Sequence, residues 1–430
     1  MPANSFPAPL AELAWRGLLY QYTDGIEEWL AGSSRSAYCG FDPTAPSLHV
    51  GNLIPVMGLV HLQRAGHRPV IVVGGGTGMI GDPGGKSAER PLASIEMVEA
   101  NSAAIRSQLE RFISFDGPHA AITRNNADWL RPLAAIEFLR DVGKHFSVNV
   151  MLAKESVQSR LEGGISFTEF SYMLLQAYDF LELRRRDDVS LQIGGSDQWG
   201  NITAGVDLIR RVAALEAHGF TMPLVTTAGG AKFGKTEAGA VWLDPERTSP
   251  FRFYQFWVNA DDRDVQRLLR FFTLMPQEQI GALERDLEEH PERRLAQQAL
   301  ASEVTTRVHG ATAASVATEL SGLLFGKADV TALSASALDA LAREVPFATV
   351  KRSDAGAAEG TQLDVLELFT LVGLAASRGA ARRLLEQGGL SVNGRKLAAD
   401  ERQLAPDGML AGGHLLLRKG AREYGLVRVR

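Results

Sequence analysis

The chain has 430 residues, with 45 lysine and arginine residues against 50 aspartate and glutamate residues, and a formal net charge of −5. A hydrophobic fraction of 45% and a charged fraction of 22% exclude a disordered, collagen-like or coiled-coil chain. At about 100–200 residues per domain, this length predicts two to four domains. The lack of an apolar run of about 18 residues and of a signal-like N-terminus predicts a cytoplasmic protein with no membrane partner. The single cysteine, Cys39, excludes an internal disulfide and a CxxC zinc site, so no protein-bound metal is expected.

The net negative charge of the whole chain conceals a basic C-terminal segment. Residues 361–430 hold 11 lysine and arginine residues against 7 acidic ones, a local charge of +4, which leaves −9 on the preceding 360 residues. A basic end on an acidic body is typical of a protein whose end alone contacts an acidic partner. Ordinary variation in surface charge is the alternative interpretation.

Strand and helix patterns alternate through the first half of the chain. In order they are strand 36–41, helix 53–64, strand 68–73, strand 191–193 and helix 203–217. Strands that stop at glycines and lead into helices predict an α/β fold with a Rossmann-like, mostly parallel sheet and ligands at the strand ends. This catalytic domain is expected to cover residues 1–246, with a helix-rich insertion at about 94–185.

The second half changes from a helical to a mixed pattern. An α-helical domain is predicted over 247–348, a polar linker over 349–362 and a small α+β module over 363–430. The module is predicted to hold two short helices, 363–372 and 377–387, and hairpin turns at Asn393-Gly394 and Lys419-Gly420.

One glycine-rich stretch, residues 76–87, partly matches two common nucleotide-binding loops. Residues 76–81 fit GxGxxG after a strand, the fingerprint of a nicotinamide dehydrogenase. A proline follows two residues later, and no acidic residue is suitably placed after Gly81, so this interpretation is disfavoured. The GxxxxGK[ST] phosphate loop fails because Ile80 stands where its first glycine belongs. A plain strand-to-loop turn explains this segment equally well.

Stronger sequence signals for nucleotide binding lie before and after this glycine-rich stretch. The segment 38–52, YCGFDPTAPSLHVGN, places polar donors between a strand and a helix N-terminus, where free backbone N–H groups favour phosphate. Residues 232–236, KFGKT, carry two lysines on a glycine-rich loop that could neutralise a polyphosphate. A structural loop and a solvated basic turn are the respective alternatives.

A third signal is the polar face of the helix predicted within 167–183. Tyr172, Gln176 and Asp179 are spaced i, i+4, i+7 among bulky apolar residues. Buried polar groups need partners, so this face is predicted to form a pocket wall rather than a solvated surface.

HVGN, KFGKT and the intervening GGSDQWGN at 194–201 together resemble the class I aminoacyl-tRNA synthetases, and among them the bacterial tyrosyl branch. HVGN stands for the HIGH signature and KFGKT for KMSKS, and the resemblance spans essentially the whole chain. The last seventy residues resemble the small RNA-binding module named after ribosomal protein S four.

The resemblance implies roles for individual residues. Tyr38 and Asp179 would bind the phenol of tyrosine. The other tyrosine ligands would be Asp82, Tyr172, Gln176 and Gln198. The ATP-binding residues would be Cys39, Gly40, Asp42, Gly51, Asn52, Asp197 and Lys235, and the triphosphate would meet the catalytic group Thr44, His49, Lys232, Lys235 and Thr236. Contacts with tRNA would come from Arg378, Arg382 and Arg383.

The implied reaction joins tyrosine to its tRNA in two steps, through a tyrosyl-adenylate. ATP is a substrate that carries Mg²⁺ with it, and the partners are L-tyrosine, the tyrosine tRNA and a second copy of the chain, with a dimer contact near 129–146. Two positions depart from the family pattern: Asn52 replaces the second histidine of HIGH, and Gly234 replaces the serine of KMSKS, which would make that loop more mobile. Tryptophanyl-tRNA synthetase and a non-catalytic RNA-binding relative are the alternatives.

Overall fold

The computed structural model describes residues 10–82, 94–154, 157–158, 161, 163–231, 233–236, 239–325, 329–351, 362–405 and 408–430. The chain divides into two compact units, Met1–Ser249 with Phe256–Val308, and Pro250–Gln255 with His309–Arg430. Part of the predicted helical domain therefore belongs to the same unit as the predicted C-terminal module. The finer division into four parts stays a prediction.

The first unit holds a central sheet and the helices that cover it. Its strands are β1 (Gln21–Tyr22), β2 (Ser36–Phe41), β3 (Arg68–Val73), β4 (Ile122–Asn125), β5 (Val189–Gly195), β6 (His218–Met222), β7 (Lys235–Thr236) and β8 (Gly239–Ala240). Its helices are α1 (Leu10–Arg16), α2 (Ile26–Ala31), α3 (Leu53–Arg64), α4 (Ile95–Leu109), α5 (Ala127–Leu130), α6 (Ala135–Asp141), α7 (Val148–Leu152), α8 (Phe167–Asp187) and α9 (Trp199–Ala213). Four more follow: α10 (Pro250–Val258), which both units share, α11 (Asp262–Phe272), α12 (Gln277–Glu289) and α13 (Leu295–His309).

The central sheet has the strand order β1-β6-β5-β2-β3-β4. Its pairs are parallel except for the short antiparallel strand β1 at one edge. The chain winds outward from β2 through β3 to β4, and β5 then starts on the other side of β2. This reversal opens a crevice at the carboxyl ends of β2 and β5, the usual ligand position in an open parallel sheet. The predicted α/β class with a Rossmann-like sheet is confirmed.

Burial on both faces explains the apolar strand sequences. The core of β3 is continuous valine and isoleucine, and all but its first residue are buried. Helix α3 packs so closely on the sheet that a Cβ on Gly58 would lie 2.7 Å from the sulfur of Met222. A side chain at this helix position would therefore have to displace the Met222 side chain.

The sequence does not predict three strands of the central sheet, β1, β4 and β6. Strand β4 lies inside the segment 94–185, which the sequence predicts as a helix-rich insertion, and it pairs in parallel with β3. Only half-buried residues make up its four positions, so neither a buried run nor an apolar alternation marks it. The segment thus contributes an edge strand to the sheet as well as helices.

The second unit contains α14 (Ala311–Phe325), α15 (Ala335–Leu341), α16 (Val365–Leu371) and α17 (Arg378–Glu386). Its strands are β9 (Phe347–Val350), β10 (Leu363–Asp364), β11 (Leu390–Val392), β12 (Arg395–Lys396), β13 (Gln403–Leu404), β14 (His414–Lys419) and β15 (Glu423–Val429). Five of them form a sheet in the order β12-β11-β14-β15-β9. The turn at Asn393-Gly394 joins β11 to β12, as the sequence predicts, with both residues at positive φ.

Alternate residues of this five-stranded sheet face two different apolar clusters. Leu415 and Leu417 pack with the apolar residues of α16 and α17, whereas Leu416 packs with those of α14 and α15. Because side chains alternate along a strand, the sheet is covered on both faces. Strand β9 runs to Val350, two residues into the predicted linker, and residues 352–361 lie outside the described part of the chain.

Candidate active site

A buried tyrosine hydroxyl lies at the floor of the crevice. Tyr38 is on β2, only 2% exposed, and its ring packs 5.1 Å from that of Phe180. Its hydroxyl is enclosed and has no hydrogen-bond partner among the described residues. Burial raises the pKa of Tyr38 well above its usual value, and the charge of Asp179 raises it further. The hydroxyl therefore stays protonated, and a polar ligand atom that paired with it would relieve an unfavourable burial.

Asp179, on α8, is the carboxylate beside it. Its two oxygens accept hydrogen bonds from the amide of Asn126 (2.8 Å) and the indole of Trp129 (2.7 Å). Burial raises the pKa of Asp179 to about 7, the two hydrogen bonds lower it, and the charge of Asp42 raises it. The carboxyl group consequently titrates near neutral pH, although both of its oxygens are already oriented by N–H donors.

A chain of hydrogen bonds continues from Asp179 across the pocket. The Asn126 amide donates to the Thr77 hydroxyl (2.8 Å), which donates to one oxygen of Asp42 (2.8 Å). The Tyr172 hydroxyl donates to the other Asp42 oxygen (2.9 Å). Two predicted tyrosine ligands, Tyr172 and Asp179, are thus joined through two residues with no predicted role. Asp42, predicted to contact ATP, faces the predicted ammonium site; its ATP contact stays a prediction.

Gln198 connects the other predicted tyrosine ligands. Its amide donates to Asp82 (2.7 Å), and its oxygen accepts from Asn201 (3.0 Å) and Gln176 (3.3 Å). Asn201 also donates to the oxygen of Gln176 (3.0 Å). The structure therefore brings Asp82, Gln176 and Gln198 together: Gln198 follows the carboxyl end of β5, and Gln176 is on the same helix as Tyr172 and Asp179.

Cys39 lies on β2 and Asp197 in the turn after β5, the two strands that flank the reversal. Burial raises the pKa of the Cys39 thiol to about 12, and the charge of Asp197 adds to the effect, so the two side chains are near each other. Asp197 is exposed in the turn after β5, and Gly40 is exposed on β2 with open space at its Cα. A Cβ on Gly195 would lie 2.5 Å from the Asp197 carboxylate, so a side chain there would have to displace that carboxylate.

The HVGN turn forms a capping box at the start of α3. The N–H of Gly51 donates to His49 Nδ1 (3.0 Å), and the N–H of His49 donates to the Asn52 side-chain oxygen (3.0 Å). Since a backbone N–H can only donate, Nδ1 must accept, and the neutral imidazole carries its proton on Nε2. The amide nitrogen of Asn52 is the end that can donate to a ligand.

The KFGKT segment lies against HVGN. Phe233 is buried, with its ring 5.2–5.6 Å from those of Phe256, Trp257 and Phe272. Gly234 has φ of +81°, and a Cβ there would lie 2.5 Å from Val50. Both features explain this glycine by close approach and a left-handed conformation rather than by added mobility.

The lysines and threonines predicted to be catalytic lie in the loop after β2 and in and around β7. Lys235 is exposed on β7, which pairs with β8, and Thr236 follows it in the same strand. The backbone N–H of Thr44 donates to the carbonyl of Asp42 (2.8 Å), which places Thr44 in the loop after β2. Lys232 lies outside the described residues.

The three predicted RNA-contacting arginines lie on α17 in the second unit. Arg378 pairs with Asp364 (2.5 Å) and Glu367 (3.2 Å). Arg382 and Arg383 are exposed, and no ion pair involves them within the described part of the chain. The charge of Arg378 is therefore partly neutralised, whereas those of Arg382 and Arg383 face solvent.

Sequence reasoning missed three residues of the pocket: Thr77, Asn126 and Trp129. Asn126 and Trp129 follow β4, one of the strands that the sequence does not predict, and Trp129, expected near a dimer contact, is 3% exposed. The available signal was the polar pair Asn125-Asn126 after the short run Ile122-Thr123, because polar side chains after parallel strands lie at the ligand edge. Thr77 stood in the glycine-rich loop that resembled a dinucleotide fingerprint.

No group of three or more His, Cys, Asp or Glu side chains in the described ranges is arranged to hold a metal ion. Within the same ranges there is no helix of the length and apolarity needed to cross a membrane.

Two protein families match successive parts of the chain. Residues 32–326 match the family described as tRNA synthetases class I (W and Y). Residues 339–427 match the tyrosine--tRNA ligase SYY-like C-terminal domain. Together these matches cover both compact units.

Known proteins are similar over nearly the full length. The chain is 55% identical over 421 residues to a tyrosine--tRNA ligase of Anaeromyxobacter dehalogenans strain 2CP-1, covering 98% of this chain and 99% of that one. It is 52% identical over 424 residues to a tyrosine--tRNA ligase of Bacillus caldotenax, covering 97% and 99%. A crystal structure of a C-terminally truncated mitochondrial tyrosyl-tRNA synthetase from Aspergillus nidulans has a TM-score of 0.67 at 31% identity, covering 73% of this chain and 93% of that one. A tryptophanyl-tRNA synthetase structure from Plasmodium falciparum shares the fold, with a TM-score of 0.53 at 14% identity over 70% of this chain and 84% of that one.

Proposed function

The chain belongs to the class I tRNA synthetases of the tryptophan and tyrosine family, and we propose that it is a tyrosine--tRNA ligase. One observation carries the choice of tyrosine: the Tyr38 hydroxyl is buried without a partner next to Asp179, a carboxylate held by two N–H donors. A phenol hydroxyl can accept from Tyr38 and donate to Asp179. The indole of tryptophan has a donor but no acceptor, so it would leave the Tyr38 hydroxyl unpaired.

The same pair of groups disfavours phenylalanine. Phenylalanine would bury the Tyr38 hydroxyl and the Asp179 carboxyl against a ring edge that offers neither a donor nor an acceptor. Leaving such groups unsatisfied costs about 1–3 kcal/mol each, and more when the group is charged. Selection against phenylalanine then needs no second, hydrolytic site.

The substrate ammonium and carboxylate are assigned to the other end of the pocket. Asp82, Tyr172 and Gln176 would bind the ammonium group, supported by the negative charges of Asp82 and Asp42 near Tyr172. Gln198, which joins Asp82 to Gln176, would lie near the carboxylate. This orientation points the carboxylate toward the turn after β5.

ATP is assigned to the crevice between β2 and β5. Adenosine would contact Cys39, Gly51, Asn52 and Asp197, with the Asp197 carboxylate accepting from a ribose hydroxyl, while Gly40 lets the nucleotide approach the β2 backbone. The exposure of Asp197 and Gly40 supports this placement. The contact predicted between Asp42 and ATP would lie where the two substrates meet.

Activation requires no nucleophile from the protein. The tyrosine carboxylate attacks the α-phosphate of ATP, the bond to the β-phosphate oxygen breaks, and pyrophosphate leaves. His49 would donate from Nε2, and Thr44, Lys232, Lys235 and Thr236 would bind the β- and γ-phosphates as charge moves onto them. Mg²⁺ would enter with ATP, coordinated mainly by phosphate oxygens and water.

The transfer step uses the second unit. A terminal ribose hydroxyl of the tyrosine tRNA attacks the adenylate carbonyl, and AMP leaves. Arg382 and Arg383 would contact RNA phosphates together with Arg378, in a module spanning residues 363–430 that follows a helical domain (247–348), a linker (349–362) and the catalytic domain (1–246). The net charge of +4 over residues 361–430 supports phosphate binding there.

A homodimer in the cytoplasm completes the proposal. Apolar side chains are exposed on α6 and α7, in and next to the segment 129–146 expected at a dimer contact: Ile136, Leu139, Val148 and Val150. Clustered exposed apolar groups are typical of an interface. Sedimentation equilibrium of the wild type and of Ile136→Glu should give a dimer and a weakened dimer, respectively.

Amino-acid-dependent exchange of pyrophosphate into ATP tests the activity itself. With tyrosine, tryptophan and phenylalanine compared at equal concentrations, exchange should depend on tyrosine alone. Exchange supported by tryptophan would identify a tryptophanyl enzyme, and no exchange with any of the three would identify a non-catalytic relative.

A further inference from the structure

Residues 239–243 connect the two signature segments of the active site. The N–H of Val241 donates to the carbonyl of Gly234 in KFGKT (2.9 Å), and the carbonyl of Val241 accepts from Val50 in HVGN (3.0 Å). Next along the chain, Leu243 donates to the carbonyl of Leu48 (2.9 Å). This stretch therefore holds both segments by backbone hydrogen bonds.

Trp242 lies within this stretch and opposite His49. The two residues form an isolated antiparallel bridge. Their ring centroids are 6.0 Å apart with an interplanar angle of 61°, an edge-to-face contact. Such aromatic pairs contribute about 0.5–1.5 kcal/mol beyond the area that they bury.

The Trp242 ring is itself held on another side. The guanidinium of Arg247 lies over it at 5.4 Å from the ring centroid. The backbone N–H of Trp242 donates to the hydroxyl of Thr248 (3.0 Å), which fixes the main chain that carries the ring. Because Arg247 covers one side of the Trp242 ring, that ring in turn restricts the positions open to the His49 imidazole. The backbone N–H of Gly51 already determines which nitrogen of His49 is protonated, and Trp242 adds a constraint on the plane of the imidazole.

We infer that Trp242 is a positioning residue for His49, holding the imidazole in the orientation that directs Nε2–H toward the phosphates of ATP. The inference rests on the proposed role of His49 in activation. Trp242 acts through His49 and touches no substrate, so its effect is on the rate of adenylate formation rather than on tyrosine binding.

The test measures single-turnover adenylate formation and the KM for tyrosine in the full-length protein. Trp242→Leu should lower the rate by about 3- to 10-fold with the KM for tyrosine unchanged, the size expected for loss of one aromatic contact. Trp242→Phe, which keeps a ring edge, should recover most of the rate. Trp242→Met, also apolar and without a ring, serves if the leucine variant fails to fold, and the same loss is expected from it.

The chain offers a matched control. Trp29 lies 5.0 Å from His218 in the same unit, a tryptophan–histidine pair that has no predicted site role. Trp29→Leu should leave the rate of adenylate formation within about twofold of wild type. A comparable loss in that variant would show that Trp242 acts through general stability and would overturn the inference.

A double-mutant cycle separates positioning from structure. In a His49→Ala background, Trp242→Leu should cause no further loss, because its target is gone. An undiminished loss in that background, or a wild-type rate in Trp242→Leu alone, contradicts the inference and leaves the proposed function standing. If His49→Ala itself keeps the wild-type rate, the proposed role of His49 fails, and the inference fails with it.

Discussion

The two ends of the proposed active site, the phenol end and the phosphate end, are built differently. At the phenol end, Tyr38 and Asp179 are buried on a strand and a long helix, and Asp179 is tied by hydrogen bonds to Asn126 and Trp129. At the phosphate end, Lys235 is exposed on a two-residue strand. The phenol end is preorganised, whereas the phosphate end lies on loops beside the sheet.

This difference separates selection from catalysis. A rigid, desolvated pair of polar groups discriminates between ligands because mismatched groups remain unpaired. Donors on short loops can follow charge as it moves from the α-phosphate to the leaving pyrophosphate. Substitutions at the phenol end should therefore change which amino acid is used and how tightly it binds, and those at the phosphate end should change the rate.

The largest effect is expected from Asp179→Ala. It removes the phenol acceptor and leaves the Asn126 amide and the Trp129 indole without their common partner, so kcat/KM for tyrosine in pyrophosphate exchange should fall by about 10³-fold or more. Glu182→Ala is the control, since Glu182 is a buried carboxylate on the same helix that pairs with Arg185 and Arg186. A folded Asp179→Ala variant with wild-type exchange would show that the pocket is assigned wrongly.

Lys235→Ala should lower the rate of adenylate formation by about 10²–10³-fold, the usual cost of losing a donor to a developing negative charge. Equilibrium binding of tyrosine should stay within about twofold, because Lys235 lies at the other end of the site. Rapid-quench measurement of the first turnover gives the rate, and Lys396→Ala, at an exposed lysine of the second unit, gives the control. Weaker tyrosine binding at an unchanged rate of adenylate formation would show that Lys235 acts on tyrosine rather than on the phosphates.

The pH dependence of tyrosine binding should report Asp179. Its pKa in the free protein is about 7, and a phenol that donates to the carboxylate favours the ionised form. Binding therefore releases a proton, affinity rises with pH up to about 7 and levels off above it, and it falls by about tenfold per pH unit below. Calorimetry in buffers of different ionisation enthalpy measures the proton. Asp179→Asn should bind tyrosine weakly and without proton release; a flat profile in the wild type would mean that Asp179 does not face the phenol.

The smallest effects are expected in the second unit. Arg382→Ala and Arg383→Ala should each weaken tRNA binding and reduce its logarithmic salt dependence by about 1, leaving pyrophosphate exchange unchanged. Arg378→Ala should do less, because Asp364 and Glu367 already pair with that side chain. Filter binding across a salt series distinguishes the three variants, and an equal effect of Arg378 would show that RNA displaces its carboxylate partners.

The sequence predicts the strands and helices better than it predicts the residues that line the pocket. Strands β2, β3 and β5 are predictable because each is a short, mostly apolar run that ends at glycine or proline, and the polar face of α8 is predictable from helical spacing alone. Asn126 and Trp129 are not predictable in this way, because they reach Asp179 only after β4 pairs with β3, a contact between distant residues along the chain. Local periodicity carries no information about that register.

Gly234 makes the same point at a single residue. A glycine in a lysine-rich loop suggests flexibility, but the tertiary structure gives it another cause, since Val50 of the HVGN turn lies where its side chain would be. Whether a glycine loosens a loop or permits close packing depends on what lies opposite, and that is a property of the folded chain.

Because the C-terminal sheet is buried on both faces, only some positions are suitable as the junction of a chimaera between this protein and a relative. A chimaera joined within residues 352–361 would place a foreign β14 and β15 against the native Leu320, Leu338 and Leu341, which pack on Leu416 and Leu426. Because core side chains fit one another closely, such a hybrid would inherit a mismatched interface even if both parents fold well. A junction before α14 keeps α14 and α15 with their own sheet, so these helices and the sheet should be exchanged together as one piece.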